Sequence, residues 1–183
     1  MPNWACGTIK VTGTKENIKN FFNKRFIFSY EKNEELRTIP GTRYFARSFY
    51  EADRKSLEKE FEEQLKDIGN DEDCEFSNSI NFAWSANSCI VEGYPDKYPD
   101  EYITLKDACI EDHVAVEIDT EECGMGFEEH ITCDDKGNLI DECEDMKTYR
   151  CKTCGNEQMI PSQNDLENEE CCECDSSDWE LVE

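Results

Sequence analysis

Apolar positions along the chain alternate between a period of two and a period near 3.6, and each switch marks a predicted element. Thr8, Ile9, Val11 and Thr12 suit an opening strand, with Trp4 ahead of them. Thr14 then stands as an N-cap before Ile18, Phe21 and Phe22, whose spacing predicts a helix over 15–24. FIFSY at 26–30 reads as a short strand, and the polar run 31–41 closes on the turn signal Pro40-Gly41. The clearest helix is 51–68, where Leu57, Phe61, Leu65 and Ile68 form one apolar stripe on an otherwise charged surface. Gly69-Asn70 stops it. Phe76, Ile80, Phe82 and Trp84 mark a strand over 75–85.

The second half repeats the alternation. Tyr94 to Pro99 is a turn-rich linker, and Leu105, Ala108, Cys109 and Ile110 predict a helix after Thr104. HVAVEID at 113–119 alternates Val114, Val116 and Ile118, as a half-buried strand does. Gly124-Met125-Gly126 turns the chain into a strand at 127–133, and Lys136-Gly137-Asn138 turns it again into Leu139-Ile140. Helices and strands in this order predict an α+β domain over 1–145, with helices on one face of a mainly antiparallel sheet.

Residues 146–183 lack such a core and carry different chemistry. Cys151 and Cys154 form one Cys-x-x-Cys pair, Cys171 and Cys174 a second, and 16 residues separate the pairs. That spacing fits a zinc site in which two tight turns each present two thiolates to one ion. Gly155 follows the first pair, where such a turn calls for positive φ. Four thiolates close the coordination shell, so the expected zinc is structural and the module a zinc ribbon, with Trp179, Leu181 and Val182 docking its last strand. Cys172 is a competing ligand with the wrong spacing to Cys174. Cys123, His130 and Cys133 hold further candidate donors, but their spacings match no standard site.

Charge changes the picture of function rather than of fold. The net charge is −25. Residues 1–59 carry 12 basic and 7 acidic side chains, whereas residues 92–145 carry 3 and 19. A field of this sign repels phosphates and favours a basic partner. Arg43, Arg47 and Arg54, interleaved with Tyr44, Phe45, Phe49 and Tyr50, leave a zinc-ribbon nucleic-acid or transcription module as the alternative. No Gly-rich phosphate loop or nucleophile motif is present. Glu129-His130 is the one candidate acid–base dyad, so the expectation is a non-enzyme. No run of apolar residues approaches the roughly 20 needed to span a bilayer. The start lacks the basic and apolar regions of a signal peptide, which predicts a cytoplasmic protein whose other cysteines are thiols.

Four strings resemble the ferredoxin-like domain of YubB-like phage and mobile-element proteins: MPNW at the start, Val11-Thr12-Gly13, Phe82-Ala83-Trp84-Ser85, and Glu121-Glu122-Cys123-Gly124-Met125-Gly126-Phe127. The likeness covers 1–140 in fragments and departs from the family in the long charged helix and the appended ribbon. It implies a ferredoxin-like sheet and a phage context. In size, acidity and metal-ribbon tail the chain is also similar to phage anti-CRISPR proteins of type II-A systems. That similarity implies an inhibitor that binds the RNA-guided type II effector nuclease in the host cytoplasm and blocks loading of target DNA. Carboxylates would then compete with phosphates for the nuclease's positive channel. The candidate contacts are Asp119, Glu121, Glu122, Glu128, Glu129, Asp134 and Asp135.

Overall fold

Strand β1, Trp4–Thr14, is the middle of a seven-stranded sheet and fixes its register along eleven residues. The computed structural model describes residues 3–28, 41–160 and 166–182. Helix α1, Lys15–Arg25, follows at once because the Thr14 side chain accepts the Asn17 N–H and caps it. Then come β2 (Ile27–Phe28), β3 (Ser48–Tyr50), α2 (Arg54–Leu65) and β4 (Asp73–Ala83). A π-helical turn (Asn87–Val91) and two helices, α3 (Tyr94–Lys97) and α4 (Leu105–Asp112), lead to β5 (Ala115–Glu122), β6 (Phe127–Cys133) and β7 (Leu139–Asp145). The sheet order is β2-β3-β4-β1-β5-β6-β7, antiparallel except between β2 and β3.

The α+β class and the mainly antiparallel sheet match the expectation from pattern. Alternation sorts the sheet into two faces. Ile9 and Val11 of β1, Phe76 and Ile80 of β4, Val116 and Ile118 of β5, and Ile131 of β6 all turn into one apolar core. Helices α1, α2 and α4 cover that same face through Ile18, Phe22, Leu57, Phe61, Leu105 and Ala108. Phe22, Phe61 and Phe76 form its aromatic centre, with Phe61 and Phe76 only 4.5 Å apart between ring centroids. Such pairs add about 0.5–1.5 kcal/mol beyond area burial. Among the described residues, no helix covers the opposite face.

Several boundaries differ from the sequence reading for identifiable reasons. Helix α2 begins at Arg54, not 51, because Asp53 accepts the Ser56 N–H and caps it there. The run 43–50 is a strand only from Ser48, since Arg47 sits in left-handed conformation at φ 52°. Its guanidinium lies between the rings of Trp84 (4.6 Å) and Tyr94 (4.1 Å), and Trp84 itself, at φ 70°, ends β4. Within the linker, Tyr94–Lys97 forms a helical turn. Ser29, Tyr30 and the polar run to Pro40 lie outside the described residues.

An ion-pair network centred on the buried Arg25–Asp112 pair ties α1 to α4. Arg25, 3 % exposed, bonds Asp112 at 2.6 Å and Glu111 at 2.9 Å, while Lys24 reaches Asp112 at 3.3 Å. Arg43 also bonds Glu111. Part of the positive charge of the first third is thus consumed inside the fold.

The expected boundary at 145–146 falls between two sheets. Beyond it, β8 (Lys147–Cys151), β9 (Glu157–Ile160) and β10 (Trp179–Leu181) make a three-stranded sheet in the order β10-β8-β9. Its small cluster of Cys151, Ile160, Cys171 and Trp179 is separate from the main core. A chain ending at Met146 is therefore expected to keep one cooperative thermal transition, measured by circular dichroism. An unfolded truncation would show that the main core needs the second sheet.

Candidate metal centre

Each Cys-x-x-Cys pair sits in a knuckle, and the two knuckles are built alike. Cys151 closes β8; its carbonyl accepts the Gly155 N–H at 2.8 Å, and its own N–H reaches Asn156 O at 2.8 Å. Cys171 does the same twenty residues on: its carbonyl accepts the Asp175 N–H at 2.8 Å, and its N–H reaches Ser176 O at 3.0 Å. The residue after each second cysteine is left-handed, Gly155 at φ 80° and Asp175 at φ 56°. Glycine does this freely, and aspartate is among the few other residues that tolerate it.

The knuckles meet at the end of the small sheet where β8 finishes and β9 and β10 begin. Cys151 Sγ is 3.6 Å from Cys174 Sγ, and Cys154 Sγ is 3.6 Å from Cys171 Sγ. All four sulfurs lie within 4.8 Å of one another. A disulfide would bring sulfurs to about 2.05 Å, and all four cysteines are free. With zinc–sulfur bonds of about 2.3 Å, a tetrahedron has edges of about 3.8 Å. The cluster therefore fits a four-thiolate ion. Cys172 lies outside it, exposed, with Asn156 Nδ2 3.4 Å from its sulfur. Trp179 anchors β10 by burying its ring and donating its indole N–H to Glu169 O at 2.8 Å, whereas Leu181 points out.

The expected acidic contacts separate by strand alternation. Glu129 faces the helix-covered side and is 2 % exposed. It accepts hydrogen bonds from Ser85 Oγ (2.7 Å), Ala86 N (2.7 Å), Asn87 N (3.0 Å) and Thr120 Oγ1 (3.1 Å), so it caps the π-helical turn. Glu122, also 2 % exposed, accepts the Gly124 and Met125 N–H groups and holds the β5–β6 turn. Glu128 is 6 % exposed. These three expectations are corrected by burial: none offers a free carboxylate to a partner. Asp134 is turned inward on its own loop, accepting from Lys136 N, Asn138 N and Asn138 Nδ2, while Asp135 is exposed.

Asp119 and Glu121 remain, and the structure adds acids the sequence reading left out. Register places Glu117, Asp119 and Glu121 of β5 beside Thr132, His130 and Glu128 of β6, and these beside Ile140, Glu142 and Glu144 of β7. All lie on the face without helices. Lys10 and His130 are the cations paired there, Lys10 with Glu117 and His130 Nδ1 with Asp119 Oδ1 at 2.6 Å. That hydrogen bond, with Glu117 and Glu142 nearby, raises the His130 pKa. Burial, then Glu128 and the ribbon's Glu169, raise that of Glu121. The signal for Glu117 was present in HVAVEID, whose buried Val114, Val116 and Ile118 force the intervening residues outward. Glu142 and Glu144 carried no such signal, since β7 is an edge strand exposed on both faces.

The other sequence candidates do not assemble. Glu129 and His130 are neighbours on a strand and point to opposite faces, so they form no dyad. Cys133 points into the core beside Cys109, away from His130, and Cys123 is exposed on the β5–β6 turn. Arg43 is bonded to Glu111, Arg47 is stacked between Trp84 and Tyr94, and Arg54 lies over Phe28 while donating to Asn23 O. No helix among the described residues is long and apolar enough to cross a membrane. No family model, curated protein or solved structure matches the chain.

Proposed function

We propose that this chain is a non-enzymatic binding protein with a structural zinc ribbon and an acidic docking face for a basic, nucleic-acid-handling protein. The observation that carries the reading is the helix-free sheet face, where Glu117, Asp119, Glu121, Glu142 and Glu144 stand together on rigid strands. Long-range attraction from such a face raises association rates with a positive surface, and its fixed spacing supplies register. The four-thiolate set leaves no open coordination position, which favours a folding role for zinc.

The particular partner follows from the resemblance to phage anti-CRISPR proteins: an RNA-guided type II effector nuclease, bound so that target DNA cannot load. The strand order β3-β4-β1-β5, with α1 and α4 as crossovers, favours the ferredoxin-like reading of the core. The alternative, direct nucleic-acid binding, loses ground because Arg43, Arg47 and Arg54 are already engaged within the fold.

The test is a gel shift of guide-loaded nuclease on target DNA with increasing protein. DNA binding is expected to fall, and the effect to weaken as salt rises. Charge reversal at Glu121, Glu142 and Glu144 should raise the half-inhibitory concentration at least about tenfold, equivalent to about 1.4 kcal/mol. Reversal at Glu58, Glu62 and Glu63, exposed on α2, should change it little. Inhibition of cleavage with DNA binding intact would refute the loading mechanism. No inhibition at saturation would refute the nuclease as partner, and tight binding to single-stranded DNA would favour the alternative.

A further inference from the structure

Outside the cysteine cluster, one other group of metal-ligating side chains converges among the described residues. Donor atoms of Glu117, Asp119 and His130 all lie within 4.8 Å of one another. The sheet imposes this arrangement. Asp119 and His130 are direct partners across β5 and β6, and Glu117 lies two residues along β5 on the same face. Glu142 faces His130 from β7. Side chains carried on paired strands are held more rigidly than those on loops.

We infer that Glu117, Asp119 and His130 form a second, exchangeable site for a divalent transition ion of the Zn2+ or Co2+ type. One imidazole and two carboxylates suit a borderline ion, whereas Mg2+ and Ca2+ prefer oxygen ligands alone. With metal–ligand bonds of about 2.0–2.2 Å, two ligands on one ion stand about 3–3.5 Å apart. The 2.6 Å Asp119–His130 pair would open slightly to that distance, and the half-exposed Glu117 would close by rotation. Lys10 holds only Oε2 of Glu117. Its side chain is 38 % exposed and on a flexible stem, free to turn to water when a cation arrives. An ion there would also relieve repulsion among Glu117, Asp119 and Glu142. Three protein ligands leave further positions for water or a partner's side chain, so this ion exchanges where the four-thiolate ion does not. The site stands on its own geometry and does not depend on the identity of the docking partner.

The experiment uses the full chain with its ribbon metal in place. After equilibrium dialysis against Zn2+, two equivalents are expected, one of them removed by a mild chelator. His130→Gln and Asp119→Asn should each weaken the second equivalent more than about tenfold, a loss that even outer-shell changes can reach. Both variants should retain the ribbon metal and the wild-type thermal transition. Co2+ added to the zinc-loaded protein should give weak visible bands without a thiolate charge-transfer band. Uptake of a single equivalent by the wild type would overturn the inference. So would a second equivalent that survives in His130→Gln, or a charge-transfer band placing the ion on free thiols such as Cys6, Cys123 or Cys143.

Discussion

Chelation of the ribbon metal is expected to unfold residues 147–182 and leave the seven-stranded sheet standing. The module is about 36 residues long, and below about 40 residues a hydrophobic core alone rarely sustains a fold. Among the described residues its buried cluster holds Ile160 and Trp179 beside two cysteines, with Tyr149 and Leu166 partly buried against it. Structural zinc contributes about 10–16 kcal/mol in finger-sized peptides, so an ion held by the four cysteines would decide between folded and unfolded here. The Cys151→Ser, Cys171→Ser double variant should lose the tightly held equivalent of metal and the near-ultraviolet signal of Trp179. Amide resonances of β1, β4 and β5 should stay in place. Equal tightly held metal in variant and wild type would exclude the four-cysteine site.

The second large effect is expected at Glu129. Replacing it by alanine strands the N–H groups of Ala86 and Asn87 in the π-helical turn and the buried hydroxyl of Thr120 on β5. Each unsatisfied group costs about 1–3 kcal/mol, so the loss is on the order of 3 kcal/mol or more. For a chain of this size that lowers the melting temperature by about 6–12 °C. Glu121, eight residues earlier and on the other face, should behave oppositely. Its raised pKa means that the folded state prefers its protonated form. Its contribution is therefore fully present at low pH and lost as pH rises through the folded value. Glu121→Gln should accordingly match or exceed the wild type in stability at neutral pH and gain least in acid. A large destabilisation by Glu121→Gln, or none by Glu129→Ala, would reverse this assignment of faces.

That contrast also marks how far sequence reasoning reaches. Local signals were sufficient where the chemistry is local. Thr14 and Thr104 cap α1 and α4, Phe127–Cys133 is β6, and the cysteine spacing alone brings four sulfurs together. Charge density, by contrast, selected both members of the Glu121-Glu122 and Glu128-Glu129 pairs, although a strand cannot present adjacent residues to one surface. The alternation of β5 and β6 contained the correction for Glu122 and Glu129, but not for Glu128, which is buried on the same face as Glu121. The remainder depended on contacts remote in sequence. Glu129 meets three of its four donors over forty residues away. Asp175 matches Gly155 only because the second knuckle repeats the first. Strand β7 shows no apolar period past Ile140 because neither of its faces is covered.

The β5–β6 turn also has a bearing on the second sheet. Gly126, at φ +75°, offers its carbonyl to Met146 N at 2.7 Å, and a methyl group at its α-carbon would lie 2.7 Å from Met159 Sδ on β9. Met159 belongs to the ribbon but to neither hydrophobic cluster. Gly126→Ala would meet only the flexible, exposed end of Met159, which can swing aside, so its cost is the strain of a left-handed alanine in the turn that joins β5 to β6 and carries the Met146 hydrogen bond.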